Sequence, residues 1–219
     1  MVGFLRSTIG KKYIMGVTGL IWAGFVLGHM AGNLLMFFSA DAYNAYGHLL
    51  TSGNFIYVVE AVLISALLAH VFCAVSLTIN NRKAKGSRYA ATPAGEKKAS
   101  LASKTMAVQG SVLLAFIIIH IASFKFGTYY ETTVDGVVMR DLYRLVIESF
   151  QSPIYTMWYL VALVLMGFHL SHGVGSTFQS LGLMDRKNRH VFQKLSYAYA
   201  VIVAAGFISQ PLYAFFFAN

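Results

Sequence analysis

The sequence predicts an all-α integral membrane protein, a single domain over residues 1–219 with five transmembrane helices. The chain is 57% hydrophobic and only 11% charged, whereas soluble domains carry about 25% charged residues. Its mean hydropathy is +0.62. Five apolar runs are each long enough to cross a bilayer as a helix. We place these helices at residues 13–38, 54–79, 101–126, 153–178 and 195–217.

The first run has no charged residue and would be about 39 Å long as a helix. It follows a short basic segment with Arg6, Lys11 and Lys12, but it is too long for the apolar core of a signal peptide, so we expect a retained helix. Pro153 opens the fourth run, which suits proline at the first helical position. The single cysteine, Cys73, lies inside the second run, so no disulfide framework is predicted.

The connections differ in length and charge. Residues 39–53 are predicted to form a polar turn, and residues 80–100 form a loop rich in Lys and Arg, interrupted by Pro93 and Gly95. Residues 127–152 are the longest connection. Within it, the segment DLYRLVIESF has helical periodicity, which favours a helix along the membrane interface.

Most of the 17 Lys and Arg residues lie in alternate connections: three before the first helix, seven between the second and third, and four between the fourth and fifth. By the positive-inside rule, the N-terminus is predicted to be cytoplasmic and the C-terminus outside, in a bacterial cytoplasmic membrane. The net charge of +9 therefore reflects orientation and contact with lipid or an acidic partner, not nucleic acid.

Each of the first four runs carries a deep histidine; these are His29, His70, His120 and His169. An ionisable side chain inside a membrane span is costly and marks a functional site by default. One such histidine alone is as often a hydrogen-bonded core residue, but these four pair by depth. His29 and His120 lie about two-thirds along helices that run outward, and His70 and His169 about two-thirds along helices that run inward.

The first pair is therefore predicted in the outer half of the membrane and the second in the inner half, about 10 Å apart along the normal. Two haem b groups need such an arrangement, because each iron takes one imidazole from each of two facing helices. Zinc is disfavoured, since it needs four ligands at one point. Beside His29, a strip of Gly24, Gly28 and Gly32 would let a flat cofactor approach the backbone.

The ligand in the fourth helix is ambiguous from spacing. His169 and His172 are three residues apart and share a helical face. Their depths do not separate them. Gly173 lies four residues beyond the first and Gly175 three beyond the second, so the glycines help only a little.

Several short motifs run in one order along nearly the whole chain. They are Thr18-Gly19-Leu20 before Gly28-His29-Met30, Glu60 before Ala69-His70, Gly110 ten residues before His120, His169-Leu170-Ser171-His172-Gly173, and Leu181-Gly182. In this order the sequence resembles the di-haem cytochrome b subunit of succinate dehydrogenase and fumarate reductase, the membrane anchor of the single-anchor, five-helix type of succinate:quinone oxidoreductase.

The resemblance implies that His29 and His120 bind the iron of the outer, distal haem and His70 and His169 that of the inner, proximal haem. It selects His169 because the family's ligand has glycine four residues later. It also implies a flavoprotein with FAD and an iron–sulfur protein docked on the cytoplasmic side, with electrons passing to or from menaquinone or ubiquinone. Gly167 stands where some fumarate-reducing members have an acidic residue, so a transmembrane proton route of that kind is not expected.

Other polar residues have weaker functional interpretations. Glu60 and His48, near Asp41 and Tyr46, are candidates for a quinone site, although a snorkelling carboxylate and a solvated loop histidine explain them as well. Lys104 is a candidate partner for a haem propionate, or simply a positive-inside residue. The basic segments 82–88 and 186–189 are the first candidates for docking the soluble partner.

The chain carries no Rossmann glycine pattern and no iron–sulfur cysteines, so we expect no dicarboxylate site in it. The direction of the reaction, the quinone type and dimerisation of the whole complex stay open. Three alternatives remain. One is the cytochrome b subunit of a hydrogenase or formate dehydrogenase, with another soluble partner. The second is a proton-coupled transporter with a histidine relay, against which stands the lack of internal repeats and broken helix pairs. The third and weakest is a purely structural membrane anchor without haem.

Overall fold

The computed structural model describes residues 3–4, 7–84 and 100–218. Its helices and strands, in chain order, are α1 (Thr8–Asn33) with a 3-10 turn (Leu34–Phe37), α2 (Ala40–Thr51), α3 (Phe55–Ala84), α4 (Leu101–Phe124), β1 (Glu131–Val134), β2 (Val137–Arg140), α5 (Leu142–Phe150), α6 (Pro153–Ser180) and α7 (Arg189–Phe216). The basic loop predicted over residues 80–100 lies mostly outside the described residues.

Five of these helices, α1, α3, α4, α6 and α7, are long and apolar enough to cross a membrane. Large apolar side chains cover their outer surfaces; on α3, for example, Leu68 is 66% and Phe72 69% exposed. Such an exposed apolar surface suits hydrocarbon rather than water. The described part of the chain is therefore a mostly helical protein of the multi-pass membrane class.

Capping explains where these helices begin. The hydroxyl of Ser7 accepts a hydrogen bond from the backbone N–H of Gly10, and the hydroxyl of Ser100 accepts one from Ser103. The helix α1 thus starts at Thr8 and includes the basic residues before the apolar run. The helix α7 starts at Arg189 without a side-chain cap hydrogen bond. Both starts precede the predicted ones, because hydropathy marks the apolar part of a helix and not its polar first turns.

The helices pack in a fixed order around α6. The helices α6 and α7 lie closely together along small residues, with Ala162 and Val203 fully buried and a Cβ at Gly167 lying 3.1 Å from Ala204. Small residues let helices approach closely where lipid offers no hydrophobic drive. The helix α1 packs against both α3 and α6, and α4 packs mainly against α6. The helices α3 and α4 touch only marginally.

One end of the bundle is covered by α2, the strands and α5, and we call it the cap end; the opposite end is the basic end. The predicted polar turn at residues 39–53 is wrong, since most of it is the helix α2. The hydroxyl of Ser39 caps this helix by accepting from Ala42, and Asp41 lies in its first turn. This Ser-x-Asp signal was present in the sequence.

Within the long connection, β1 and β2 form an antiparallel hairpin. Asp135 and Gly136 turn it with φ values of 50° and 79°, as a two-residue hairpin turn requires. The helix in DLYRLVIESF is present as α5, and it buries Leu145, Val146 and Phe150 in the core of the cap end. Its apolar face therefore packs on protein.

Candidate functional site

The imidazoles of His29 on α1 and His120 on α4 meet near the cap end. Their ring centroids are 5.8 Å apart and their planes are nearly perpendicular, at 85°. Two imidazoles on opposite sides of one metal have centroids about 6 Å apart, from metal–nitrogen bonds of about 2 Å on each side. The spacing of this pair is close to that value.

Aromatic side chains enclose the pair. Phe25 stacks on His29 at 5.3 Å, and Phe207 of α7 lies 5.8 Å from the same ring. Phe116 stacks on His120 at 5.7 Å, and Phe124 lies on its other side at 5.3 Å. The surroundings of the pair are thus apolar.

A pair of tyrosines on α6 holds the second ring nitrogen of His120. The Nδ1 atom of His120 lies 3.1 Å from the hydroxyl of Tyr159, and the hydroxyl of Tyr155 donates to that of Tyr159 at 3.0 Å. A phenol can donate or accept, so it supports either tautomer of the imidazole. When Nδ1 carries the proton, the Nε2 lone pair is free for a metal.

The Nδ1 atom of His29 is held less firmly. The side-chain amide nitrogen of Asn33 donates to the backbone carbonyl of His29 at 2.8 Å and lies 3.4 Å from Nδ1. Tyr43 of α2 donates to the amide oxygen of Asn33 at 2.7 Å, which orients the amide. A separation of 3.4 Å is beyond a well-formed N–H bond, so Asn33 does not set the tautomer of His29.

The second pair lies toward the basic end, and each of its histidines faces a glycine. A Cβ at Gly19 of α1 would lie 3.5 Å from Cε1 of His70, and a Cβ at Gly110 of α4 would lie 3.7 Å from Cε1 of His169. Each glycine lies ten residues before the histidine that its own helix contributes to the cap-end pair. The two levels are therefore about 15 Å apart along these helices.

This separation exceeds the 10 Å predicted from helix ends. That prediction treated the basic ends of α1 and α3 as level. With His70 beside Gly19, however, α3 continues 14 residues to Ala84, whereas α1 begins 11 residues before Gly19, at Thr8. The helix α3 therefore extends about one turn further than α1.

Thr18 fixes the tautomer of His70. The hydroxyl of Thr18 donates to the backbone carbonyl of Ile14 at 2.8 Å, so its single proton is committed to its own helix. The same oxygen lies 3.1 Å from Nδ1 of His70 and can only accept there. Nδ1 therefore carries the proton and Nε2 presents a lone pair, which is the form of histidine that binds metals.

On α6, the structure places His169 rather than His172 against Gly110 of α4. Nδ1 of His169 is buried and has no hydrogen-bond partner among the described residues. His172 lies about one turn nearer the basic end and is half-buried.

The four histidines suit two haem groups better than one polynuclear or zinc centre. Within the described ranges, no three His, Cys, Asp or Glu side chains come together in a way that could hold a metal ion. Two of the histidines, His70 and His120, have a polar partner at Nδ1, the arrangement common for metal-binding imidazoles. The residues present therefore fit bis-imidazole ligation at two levels.

The glycines of the strip beside His29 differ in their surroundings. A Cβ at Gly24 or Gly28 would meet nothing within 4 Å, and both residues are exposed. At Gly32 a Cβ would overlap the ring of Tyr46, so this glycine allows α2 to pack against α1. The glycines that face histidines are Gly19 and Gly110.

The remaining predicted site residues lie apart from the histidines. Glu60, near the start of α3, forms an ion pair with Lys125 at the end of α4. His48 is a half-buried residue of α2, and Lys104 is exposed on the first turn of α4. The structure does not bring Lys104 into contact with a histidine of either pair.

Charge is distributed unevenly between the two ends. The described basic end carries Lys11, Lys12, Arg82, Lys83, Lys104, Arg186, Lys187, Arg189 and Lys194, against Asp185. The cap end carries Asp41, Glu60, Glu131, Asp135, Asp141 and Glu148, against Lys125, Arg140 and Arg144. Residues 85–88 of the first predicted docking segment lie outside the described part.

The sequence interpretation did not assign roles to Thr18, Asn33, Tyr155 and Tyr159. One signal could have found Thr18, which lies eleven residues, or three turns, before His29 and thus on the same face. Tyr159 has no such local signal, because its contact with His120 depends on how α6 packs against α4.

Comparison of the chain with models of known protein families, with curated proteins and with solved structures finds no match. The family resemblance therefore rests on the motifs quoted for it. The geometry of the two histidine pairs is a separate argument, made from the structure alone.

Proposed function

We propose that this chain is the di-haem cytochrome b subunit that anchors a succinate:quinone oxidoreductase, a succinate dehydrogenase or fumarate reductase, in the membrane. The observation that carries the proposal is the arrangement of four imidazoles from four spanning helices at two levels about 15 Å apart, with His29 and His120 adjacent at one level. His29 and His120 would hold one haem, and His70 and His169 the other. Bound haem supplies a one-electron carrier at each level.

The chain's own residues would position these groups and keep water out. Thr18 and Tyr159 orient the imidazoles of His70 and His120 through Nδ1. The phenylalanines around the cap-end pair exclude water, which suits electron transfer rather than oxygen chemistry. A site already saturated by two histidines has no open position for oxygen.

The excess of Lys and Arg at the basic end supports its placement in the cytoplasm. A flavoprotein with FAD and an iron–sulfur protein would dock there, with residues 186–189 as one contact. Quinone, either menaquinone or ubiquinone, would react toward the cap end. Glu60 and His48 remain candidates for its site, and the ion pair with Lys125 adds an ammonium donor beside Glu60.

The test is purification of the complex followed by a dithionite-minus-oxidised redox titration. The proposal expects two haem b groups per chain with separate potentials, together with co-purifying flavin and non-haem iron. A colourless protein would contradict it and favour a transporter with a histidine relay. Co-purification of a hydrogenase or formate dehydrogenase would leave the cytochrome but overturn the succinate assignment.

A further inference from the structure

Both tryptophans of the chain have a buried indole N–H that meets no acceptor among the residues that the structure describes. The chain contains two tryptophans, Trp22 and Trp158. The Nε1 atom of each is buried and has no hydrogen-bond partner among the described residues. A buried tryptophan N–H normally finds an acceptor, because an unpaired N–H loses its hydrogen bond to water and gains none in the protein. Two such donors in one bundle call for an acceptor that the described part of the chain does not provide.

Trp22 lies on the histidine-bearing face of α1. It is four residues after Thr18 and seven before His29, so the three side chains share one face. Its ring packs edge-on against Phe25 at 5.7 Å, and Phe25 stacks on His29. Trp22 is only three residues beyond Gly19, so it lies about 4.5 Å from the level of His70 and about 10 Å from that of His29.

Trp158 has the corresponding position on α6. It lies eleven residues before His169, which is three turns and thus the same face. It directly precedes Tyr159, the residue that contacts His120, and it packs against the core of the cap end. Side chains lean toward the N-terminus of their helix, which for α6 is the cap end. Trp158 therefore belongs to the cap-end level.

Each of these two helices thus gives a histidine to one level and an unpaired N–H to the other. The helix α1 contributes His29 to the cap-end level and Trp22 to the basic-end level. The helix α6 contributes His169 to the basic-end level and Trp158 to the cap-end level. Haem carries two propionate carboxylates, which need donors when they are removed from water. No Lys or Arg lies in α6, or in α1 beyond Lys12. On these two helices, the donors available to a propionate are therefore uncharged groups such as the indole N–H.

We infer that the indole N–H groups of Trp22 and Trp158 donate hydrogen bonds to haem propionates, Trp22 at the basic-end level and Trp158 at the cap-end level. This inference rests on the proposed function. A donor to a propionate offsets part of its negative charge, and that charge stabilises oxidised haem. Loss of the donor therefore lowers the reduction potential of the haem concerned.

The experiment compares Trp22→Phe and Trp158→Phe with the wild type in the purified complex. Redox titration gives the two potentials, and redox-difference infrared spectroscopy reports the carboxylate bands. Each variant should keep both haems, lower one potential and shift the propionate bands. A His70→Leu background, which keeps only the cap-end haem, shows which potential responds. In that background Trp158→Phe should still act and Trp22→Phe should not.

An isosteric replacement separates the N–H from the volume of the ring. Because the chain has two tryptophans, growth with 3-benzothienylalanine, in which sulfur replaces the N–H, alters these two positions alone in this subunit. In a Trp158→Phe background it changes position 22, and in a Trp22→Phe background position 158. The replacement at each position should lower the same potential as the phenylalanine variant at that position. It also tests a position whose own phenylalanine variant folds poorly.

Unchanged potentials and unchanged carboxylate bands on both replacements would overturn the inference and mean that water or nothing meets the indoles. That result would leave the proposed function intact, provided that two haems are present. Absence of haem from the wild-type complex would instead overturn the proposed function itself.

Discussion

The histidine pair near the cap end comes from α1 and α4, the pair near the basic end comes from α3 and α6, and their surroundings differ. At the basic end, Thr18 commits its proton to a helix carbonyl and can only accept from His70. At the cap end, Tyr159 can accept from or donate to His120, and Tyr155 supports it in either case. The basic-end site thus fixes the tautomer of His70, whereas the cap-end site accommodates either tautomer of His120.

The pairs also differ in enclosure. Four phenylalanines surround the cap-end pair, and α2, the hairpin and α5 cover the bundle beyond it. The basic-end pair has glycines opposite its rings instead, at positions 19 and 110. Aromatic side chains therefore fill the space around the cap-end pair. At the basic-end pair, glycines leave space beside the imidazole rings because they have no side chain.

The most severe test of two independent pairs removes one ligand. His70→Leu should abolish one haem and leave the other, so that the haem content per chain falls by half. His29→Leu should abolish the other haem. Pyridine haemochrome analysis and the redox titration measure this. His172→Leu is the matched control and should keep both haems; retention of both haems in His70→Leu would contradict the pairing.

Thr18→Val tests whether the tautomer of His70 is preset. Valine keeps the shape of threonine but removes the acceptor, so the N–H of His70 is left unpaired. Loss of a polar partner of a metal-binding histidine typically costs about 10–100-fold in affinity. Competition for haem with apomyoglobin should show this loss for one haem only. Thr8→Val, at the exposed start of the same helix, should have no effect, and an equal loss there would argue against a specific role.

The covering of the cap end is tested by two neighbouring glycines. Gly32→Ala places a methyl group against the ring of Tyr46 and should destabilise the fold by about 1–3 kcal/mol, as overpacking does. Gly28→Ala meets open space and should be neutral or stabilising by up to about 1 kcal/mol. Thermal unfolding in detergent measures both. Equal effects would show that α2 does not pack closely on α1.

Tyr159→Phe should have the smallest effect. It removes the partner of His120 at Nδ1, but the aromatic packing of the site remains, so we expect about a tenfold loss of haem affinity or less. The cap-end haem should shift to a higher potential, because its imidazole becomes a weaker base. Tyr155→Phe keeps the hydroxyl of Tyr159 and should shift the potential of the cap-end haem less. A larger shift from Tyr155→Phe would reverse the assigned roles.

The sequence predicted the spanning helices well because apolar length is a local property. The polar turn predicted at residues 39–53 was wrong, and the hairpin was not predicted. Both regions are polar, and only capping and turn residues such as Ser39, Asp135 and Gly136 indicate their structure. Helix ends were displaced where charged residues such as Arg189 belong to the first turn.

At the candidate site, pairing by depth was predictable, because a histidine's height follows from counting residues along its helix. The partners at Nδ1 were not, since they depend on the rotation and offset of neighbouring helices. The contact between Tyr159 and His120 requires α4 to lie on α6, and that of Thr18 with His70 requires α1 to lie on α3. No local pattern encodes those offsets.

The marginal contact between α3 and α4 has a consequence for biogenesis. As the chain emerges from the ribosome, α1 and α3 can associate early, but α4 finds its main neighbour only once α6 has been synthesised. His169 also arrives with α6. A nascent chain that stops before Pro153 would thus lack a docked His120 and the fourth histidine, so loading of the proposed haems would belong to the last stage of membrane insertion.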